Sequence, residues 1–118
     1  MNYVDGYVLP MPTKSVAAYR RIAQKAAKVW LKHGALAYHE CVGDDLNIKG
    51  VIGFPKLAGA KKGETVIFAW VVFKSRAHRD KVNAKVMKDP LMANMGPMDV
   101  PFDPARMAYS GFKEIVRG

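Results

Sequence analysis

Hydrophobic and polar positions alternate along residues 2–10, NYVDGYVLP, so that Val4, Gly6 and Val8 share one face and Tyr3, Asp5 and Tyr7 the other. A period of two predicts a strand, closed here by Pro10. The period then changes. Val16, Tyr19, Ala23, Ala26 and Trp30 recur at steps of three and four, with Ile22 and Val29 widening the stripe, which predicts a helix from about Ser15 to His33 with one face on a core. Thr13 or Ser15 is its expected N-cap and Gly34 its stop. Ala35–Val42 reads as a second strand ending in the turn Gly43-Asp44-Asp45. Leu46–Gly63, rich in glycine and lysine, reads as a long hairpin connection or irregular excursion. Glu64–Phe73, ETVIFAWVVF, is the strongest strand pattern in the chain. Ser75 can cap a second helix running to about Lys88, halted by Asp89-Pro90. Residues 90–104 hold four prolines and three methionines, which predicts a loop with room for one short helical turn. Arg106–Val116 closes the chain as a strand, with Ala108, Ser110 and Phe112 on one face and Met107, Tyr109 and Gly111 on the other.

The order β-α-β-β-α-β predicts an α+β, ferredoxin-like domain spanning residues 1–118: an antiparallel sheet with two helices on one face and the first and third strands central. The Glu64–Phe73 strand is apolar on both faces, with Val66, Phe68, Trp70 and Val72 on one and Ile67, Ala69, Val71 and Phe73 on the other. Helices cover only one of them. A second apolar face of this size calls for a cover, and a second copy of the same sheet across a two-fold axis supplies one. A homodimer is therefore expected.

Composition narrows the setting more than the function. With 118 residues, 50% of them apolar and 25% charged, the chain suits one globular core. No apolar run reaches the roughly 18–20 residues that span a bilayer, and the opening MNYVDGYVLP has no signal-peptide pattern. One cysteine, Cys41, permits no internal disulfide, so a reducing cytoplasm is the expected location. The net charge of +9 is compatible with an anionic partner but equally with solubility alone. Lys14, Arg20, Arg21, Lys25, Lys28 and Lys32 crowd the first helix and its approach, with no acidic residue between Asp5 and Glu40. A sequence-blind nucleic-acid contact through that helix is the alternative functional reading. It lacks the interleaved aromatic residues of a single-strand platform and any known nucleic-acid motif.

Several chemistries fail on spacing. Gly53 to Lys61 does not match a phosphate loop, because Ala60 stands where the lysine is required. His39-Glu40 opens like a zinc-protease helix, but the second histidine position is Gly43 and the segment is a strand pattern. His33, His39 and Cys41 fit no standard ligand spacing, so no metal site and no cofactor are expected. Cys41 is expected as an inert buried thiol. Carboxylates carry more information. Asp5 lies inside a predicted central strand and Glu40 in its neighbour, and a carboxylate so placed must be paired, hydrogen-bonded or protonated. The functional reading is a polar pocket in which Asp5 or Glu40 is the catalytic base. Arg106 would anchor an anionic group, with Tyr38 or Tyr109 as a further partner, and Trp70 and Phe68 would form the walls. Against it stands a structural ion pair at the dimer seam. The methionine-rich segment after residue 86 reads either as an adaptable lid or as core filling.

YVDGYV, WLKHGAL, ECVGDD, FAWVVF, MKDPLM and VPFDPARMAYSGF together resemble the YbaA-like bacterial family of unknown function, within the dimeric α+β-barrel superfamily. The resemblance covers nearly the whole chain. It implies a ferredoxin-like dimer whose sheets close into a barrel, and it implies no reaction. Superfamily relatives include cofactor-free monooxygenases, haem-degrading enzymes and lactone isomerases that use the cleft between helices and sheet. That cleft, taking a small anionic or aromatic molecule, is the expected site, with Asp5, Glu40, Trp70, Arg106 and Tyr109 as its candidate residues.

Overall fold

A computed structural model describes residues 1–118, apart from the side chain of Pro97. Four strands, β1 (Tyr3–Pro12), β2 (Ala37–Val42), β3 (Glu64–Phe73) and β4 (Ala108–Lys113), alternate with the helices α1 (Val16–Lys32), α2 (Phe54–Ala58), α3 (Arg76–Lys88) and α4 (Pro90–Ala93). The sheet order is β2-β3-β1-β4 with every pairing antiparallel, the ferredoxin-like arrangement with the first and third strands central. No helix among the described residues is long and apolar enough to cross a membrane.

The period-two pattern decides what each face meets. Tyr3 pairs with Phe73, Asp5 with Val71, Tyr7 with Ala69 and Leu9 with Ile67, so these residues share the side on which α1 and α3 pack. Phe73, Val71, Val82, Val86, Val29 and Trp30 form one core cluster there, and Leu9, Met11, Tyr19, Ala23, Ile67 and Ala69 form a second. The buried positions of α1 are Tyr19, Ala23, Ala26, Val29 and Trp30, the stripe its periodicity predicts. Ser15 precedes that helix but makes no side-chain cap bond. Ser75 does cap α3, accepting the His78 N–H at 3.1 Å. Gly34 takes φ 115°, a left-handed conformation open mainly to glycine, and turns the chain out of α1.

Three expectations change. The 46–63 excursion contains α2, too short to show periodicity, with a proline in its first turn and Gly59 in the left-handed conformation at its end. It packs on the far side of the sheet, where Phe54 meets Phe68 edge-on with ring centroids 5.7 Å apart. The closing strand is shorter than expected: it starts later because Pro104–Arg106 forms a 3-10 turn, and it ends at Lys113, which pairs with Tyr3 at the start of β1. Cys41 is exposed rather than buried: it points to the far face from β2, an edge strand, where no helix covers it.

Polar ties position the long connection between α3 and β4. The buried Asp89 carboxylate accepts the Leu91 N–H at 3.1 Å, lies 2.9 Å from His33 Nε2 and receives Lys32 Nζ at 3.3 Å. The end of α1 thus holds the start of α4. At the other end, Arg106 grips Glu64 with two bonds of 2.7 and 2.8 Å and reaches the Gly59 carbonyl at 2.7 Å. That fork and the Lys61 N–H hold the Glu64 carboxyl at a pKa of about 2, against an ordinary 4.5. A depressed carboxyl pKa adds stability above the ordinary value, and that stability is lost as pH falls through the depressed one. In urea unfolding series between pH 2 and 6, Arg106→Gln should lower stability most above about pH 4.5, with the two curves converging towards pH 2. A difference independent of pH would show that the pair is not what Arg106 contributes.

Candidate functional site

Cross-strand register builds the floor of the cleft. Glu40 of β2 pairs with Ala69 of β3, Ala69 with Tyr7 of β1, and Tyr7 with Tyr109 of β4. The four therefore form one row across the sheet on its helix side. Neighbouring strands lie about 4.8 Å apart, so the backbones of Glu40 and Tyr7 stand about 10 Å apart with only a methyl group between them. Opposite this gap, α1 presents Ala23 and Ala26. Three alanines facing one another across the layers leave a cavity of about 360 Å³. Its roof comes from Met92, Met95, Val100, Phe102 and Met107 in the connection tied down by Asp89.

Glu40 is the polar group of greatest consequence in that cavity. One oxygen accepts the Tyr19 hydroxyl at 2.7 Å, the other the Tyr38 hydroxyl at 2.7 Å. Burial, followed by the Glu40 charge, pushes both tyrosines far above the usual phenol range, so both remain hydroxyl donors. Among the described residues no cation lies within ion-pairing distance of Glu40. Tyr7 is likewise raised, by burial and then by Asp5. Its ring stacks on Tyr109 with centroids 4.8 Å apart, and among the described residues its hydroxyl has no hydrogen-bond partner. The cavity thus offers an anionic acceptor at one side and a free neutral hydroxyl at the other.

Asp5 occupies a different environment. It is 0% exposed and accepts Arg79 Nη1 at 2.9 Å, the Tyr109 hydroxyl at 2.9 Å and Asn83 Nδ2 at 3.3 Å. Arg79 also donates to the Tyr109 oxygen at 2.8 Å and sits 5.0 Å from the centre of the Tyr3 ring. Trp30 Nε1 holds Asn83 from behind at 3.1 Å. Burial works against the Arg79 charge, but Asp5 and Tyr109 more than compensate, and its pKa is raised. Gly111, opposite Asp5 in the register, admits this arrangement, because a Cβ there would run into the Tyr3 hydroxyl.

Of the five residues singled out from sequence, Asp5, Glu40 and Tyr109 share the helix side of the sheet. Trp70 lies on the opposite side, paired with Gly6 and His39 and stacked on the His39 ring at 4.8 Å. One residue's step along a strand reverses the face, so Trp70 and Phe68 cannot wall a cleft whose floor is Ala69. Arg106 stands with Glu64, away from both inner carboxylates. The cation that Asp5 requires is Arg79, which sequence reasoning passed over. A signal existed: Arg79, Val82, Asn83 and Val86 fall at i, i+3, i+4 and i+7 on α3, a stripe half polar and half apolar that a helix turns inward only to meet a buried polar group.

Asp5→Asn should leave the part-buried Arg79 guanidinium with only the exposed Asp80 as a counter-charge, at 2.8 Å, and should cost about 2 kcal/mol of unfolding free energy. Tyr109→Phe, which keeps the ring stack and removes one hydrogen bond, should cost about 1 kcal/mol. Chemical denaturation of the two variants measures both, and equal stability in Asp5→Asn and wild type would refute the structural role.

Comparison with known proteins places this arrangement. Residues 2–104 match the family model described as protein of unknown function (DUF1428). The uncharacterized protein YbaA of Escherichia coli strain K12 and that of Shigella flexneri are each 40% identical over 116 residues, covering 98% of both chains. Among solved structures, a candidate antibiotic biosynthesis monooxygenase from Nitrosomonas europaea superposes with a TM-score of 0.59 at 11% identity, over 97% of this chain and 90% of that one. An uncharacterized NIPSNAP domain protein from Burkholderia xenovorans gives 0.56 at 11% identity, over 95% and 93%. At such identities these two likenesses concern the fold alone. The match along the chain is of another order, with YbaA similar over nearly the whole length, and the chain belongs to the DUF1428 family.

Proposed function

We propose that this protein binds a small, flat, largely apolar molecule carrying a hydrogen-bond donor in the cavity between sheet and helices. The observation that supports this is the alanine-floored gap between the Glu40 carboxylate and the unpartnered Tyr7 hydroxyl. Concave, mostly apolar sites with a few convergent polar groups are where small molecules bind. Thioether and aromatic walls favour a polarisable ring. Charge selects further. Asp5 is neutralised by Arg79 whereas Glu40 is not, so a donor group beside Glu40 is favoured and an anion there is disfavoured. Arg106, the cation expected to hold an anion, is occupied by Glu64. Glu40 is also the carboxylate placed to accept a proton from a bound molecule, while Asp5 serves as a structural partner.

In calorimetric titrations with 4-alkylphenols, wild type should bind saturably. Ala69→Leu, which fills the floor, should weaken binding at least tenfold, and Glu40→Gln by about tenfold through loss of a charged acceptor. Thermal denaturation checks that both variants fold. Binding that survives Ala69→Leu unchanged would place the ligand elsewhere.

We also infer a homodimer through the far face of the sheet, in a reducing bacterial cytoplasm that suits a single unpaired cysteine. Phe68 and Phe112 are 43% and 57% exposed on that face, beside Trp70 and Val72. An uncovered apolar surface of this kind favours association. Phe68→Lys combined with Phe112→Lys should halve the mass in sedimentation equilibrium. A wild-type monomer at micromolar concentration would end this inference.

A further inference from the structure

A second cavity, of about 560 Å³, opens outward between α1 and the edge strand β2. Tyr19, Ala23, Tyr38 and Glu40 line it and also line the inner cavity. The two spaces thus adjoin at these shared residues, beside the point where Tyr19 from the helix and Tyr38 from the strand hold Glu40 between them. We propose that they form one composite site for an elongated amphipathic carboxylate. Its ring and donor group would occupy the inner cavity beside Glu40, its alkyl chain the outer groove, and its terminal carboxylate would meet Arg20. This rests on the cavity reading given above and extends it to a ligand class.

Three features carry the extension. The outer groove is mainly apolar along its length, through Val16, Ala27, Val42 and Ile67, so it suits a hydrocarbon chain. Val16, Arg20, Ala23 and Ala27 fall at steps of four, three and four on α1, a single shoulder beside the core stripe, and place a cation along the groove. Among the described residues Arg20 has no carboxylate partner, in contrast to Arg79 and Arg106. A guanidinium left free at the side of an apolar groove matches a planar carboxylate. Charge is therefore arranged with opposite sign along one path: negative at Glu40, where a donor would sit, and positive at Arg20, where an anion would end.

The test is a series of ω-(4-hydroxyphenyl)alkanoic acids of increasing chain length, each titrated calorimetrically alongside its primary amide. Affinity should rise about twofold per methylene, as expected for partly buried chain, until the groove is filled. The longer acids should bind about fivefold tighter than their amides. Arg20→Gln should abolish the acid–amide difference, whereas Arg21→Gln, changing an exposed neighbour that does not line the groove, should retain it. Ala27→Phe should remove the gain with chain length. If 4-ethylphenol binds but affinity is indifferent to chain length, or the acid–amide difference persists in Arg20→Gln, the composite site is overturned and the inner-cavity reading stands. If neither short phenols nor long acids bind, both fall.

Discussion

A carboxylate enclosed in the middle of a sheet governs how this molecule is put together. Asp5 sits on a central strand at full burial, where an ionised group without partners would cost many kcal/mol. Its three donors come from two elements: Arg79 and Asn83 on α3 and Tyr109 on β4. Satisfying that one side chain therefore fixes the register of the edge strand against β1 and the rotation of α3 about its own axis. Trp30 extends the network to α1 through Asn83. Replacing the Asp5–Arg79 pair with apolar groups need not weaken the fold. Removing one partner would, and this is what makes the pair a constraint on all the others.

The cavity is the counterpart of that constraint. Elsewhere on the helix side of the sheet, Phe73 with Val82 and Val86 fills the space under the helices. At the Glu40–Ala69–Tyr7–Tyr109 row the filling stops, because Ala69, Ala23 and Ala26 meet where larger side chains would interdigitate. Close packing is the norm in protein interiors and voids are destabilising. A gap edged by a carboxylate that two tyrosines but, among the described residues, no cation satisfies, and by one free hydroxyl, is thus a costly feature to retain without use. The roof above it is tied by polar contacts at its ends, through Asp89 and Arg106, and rests on the core through Met92 and Phe102; its methionines, flexible at three bonds, provide surfaces that can adapt to different occupants.

The two faces of the sheet have separate tasks. The helix side holds ions and the cavity. The far side holds Phe68, Trp70, Val72 and Phe112, partly shielded by α2, and its one ion pair among the described residues of β3, Glu64 with Arg106, sits at the strand's start. Because β3 is apolar on both faces, its sequence alone does not distinguish them. Asp5 on the neighbouring strand does, since the face that carries a buried aspartate is the face where helices must bring donors.

How much of this was legible beforehand follows from the range of each interaction. Strand alternation and helical periodicity are local, so the order of the main elements, the central position of β1 and β3, the buried stripe of α1 and the common face of Tyr3, Asp5 and Tyr7 could all be read from the sequence. Resemblance along the chain identified the family from the same letters. What failed depended on separations of many residues. Asp5 and Arg79 are 74 positions apart, and Arg106 and Glu64 are 42; a charge pattern on one segment does not say which distant partner it meets. Trp70 was placed in the cleft for its size, whereas a strand assigns faces by parity, and only the pairing of Ala69 with Tyr7 and Glu40 revealed which parity lines the cavity. The sequence by itself determined the main strands and helices and the requirement that a carboxylate inside the sheet be satisfied. Tertiary structure decided which cation answers it and where the alanines leave space, because both are properties of facing layers and not of any one segment.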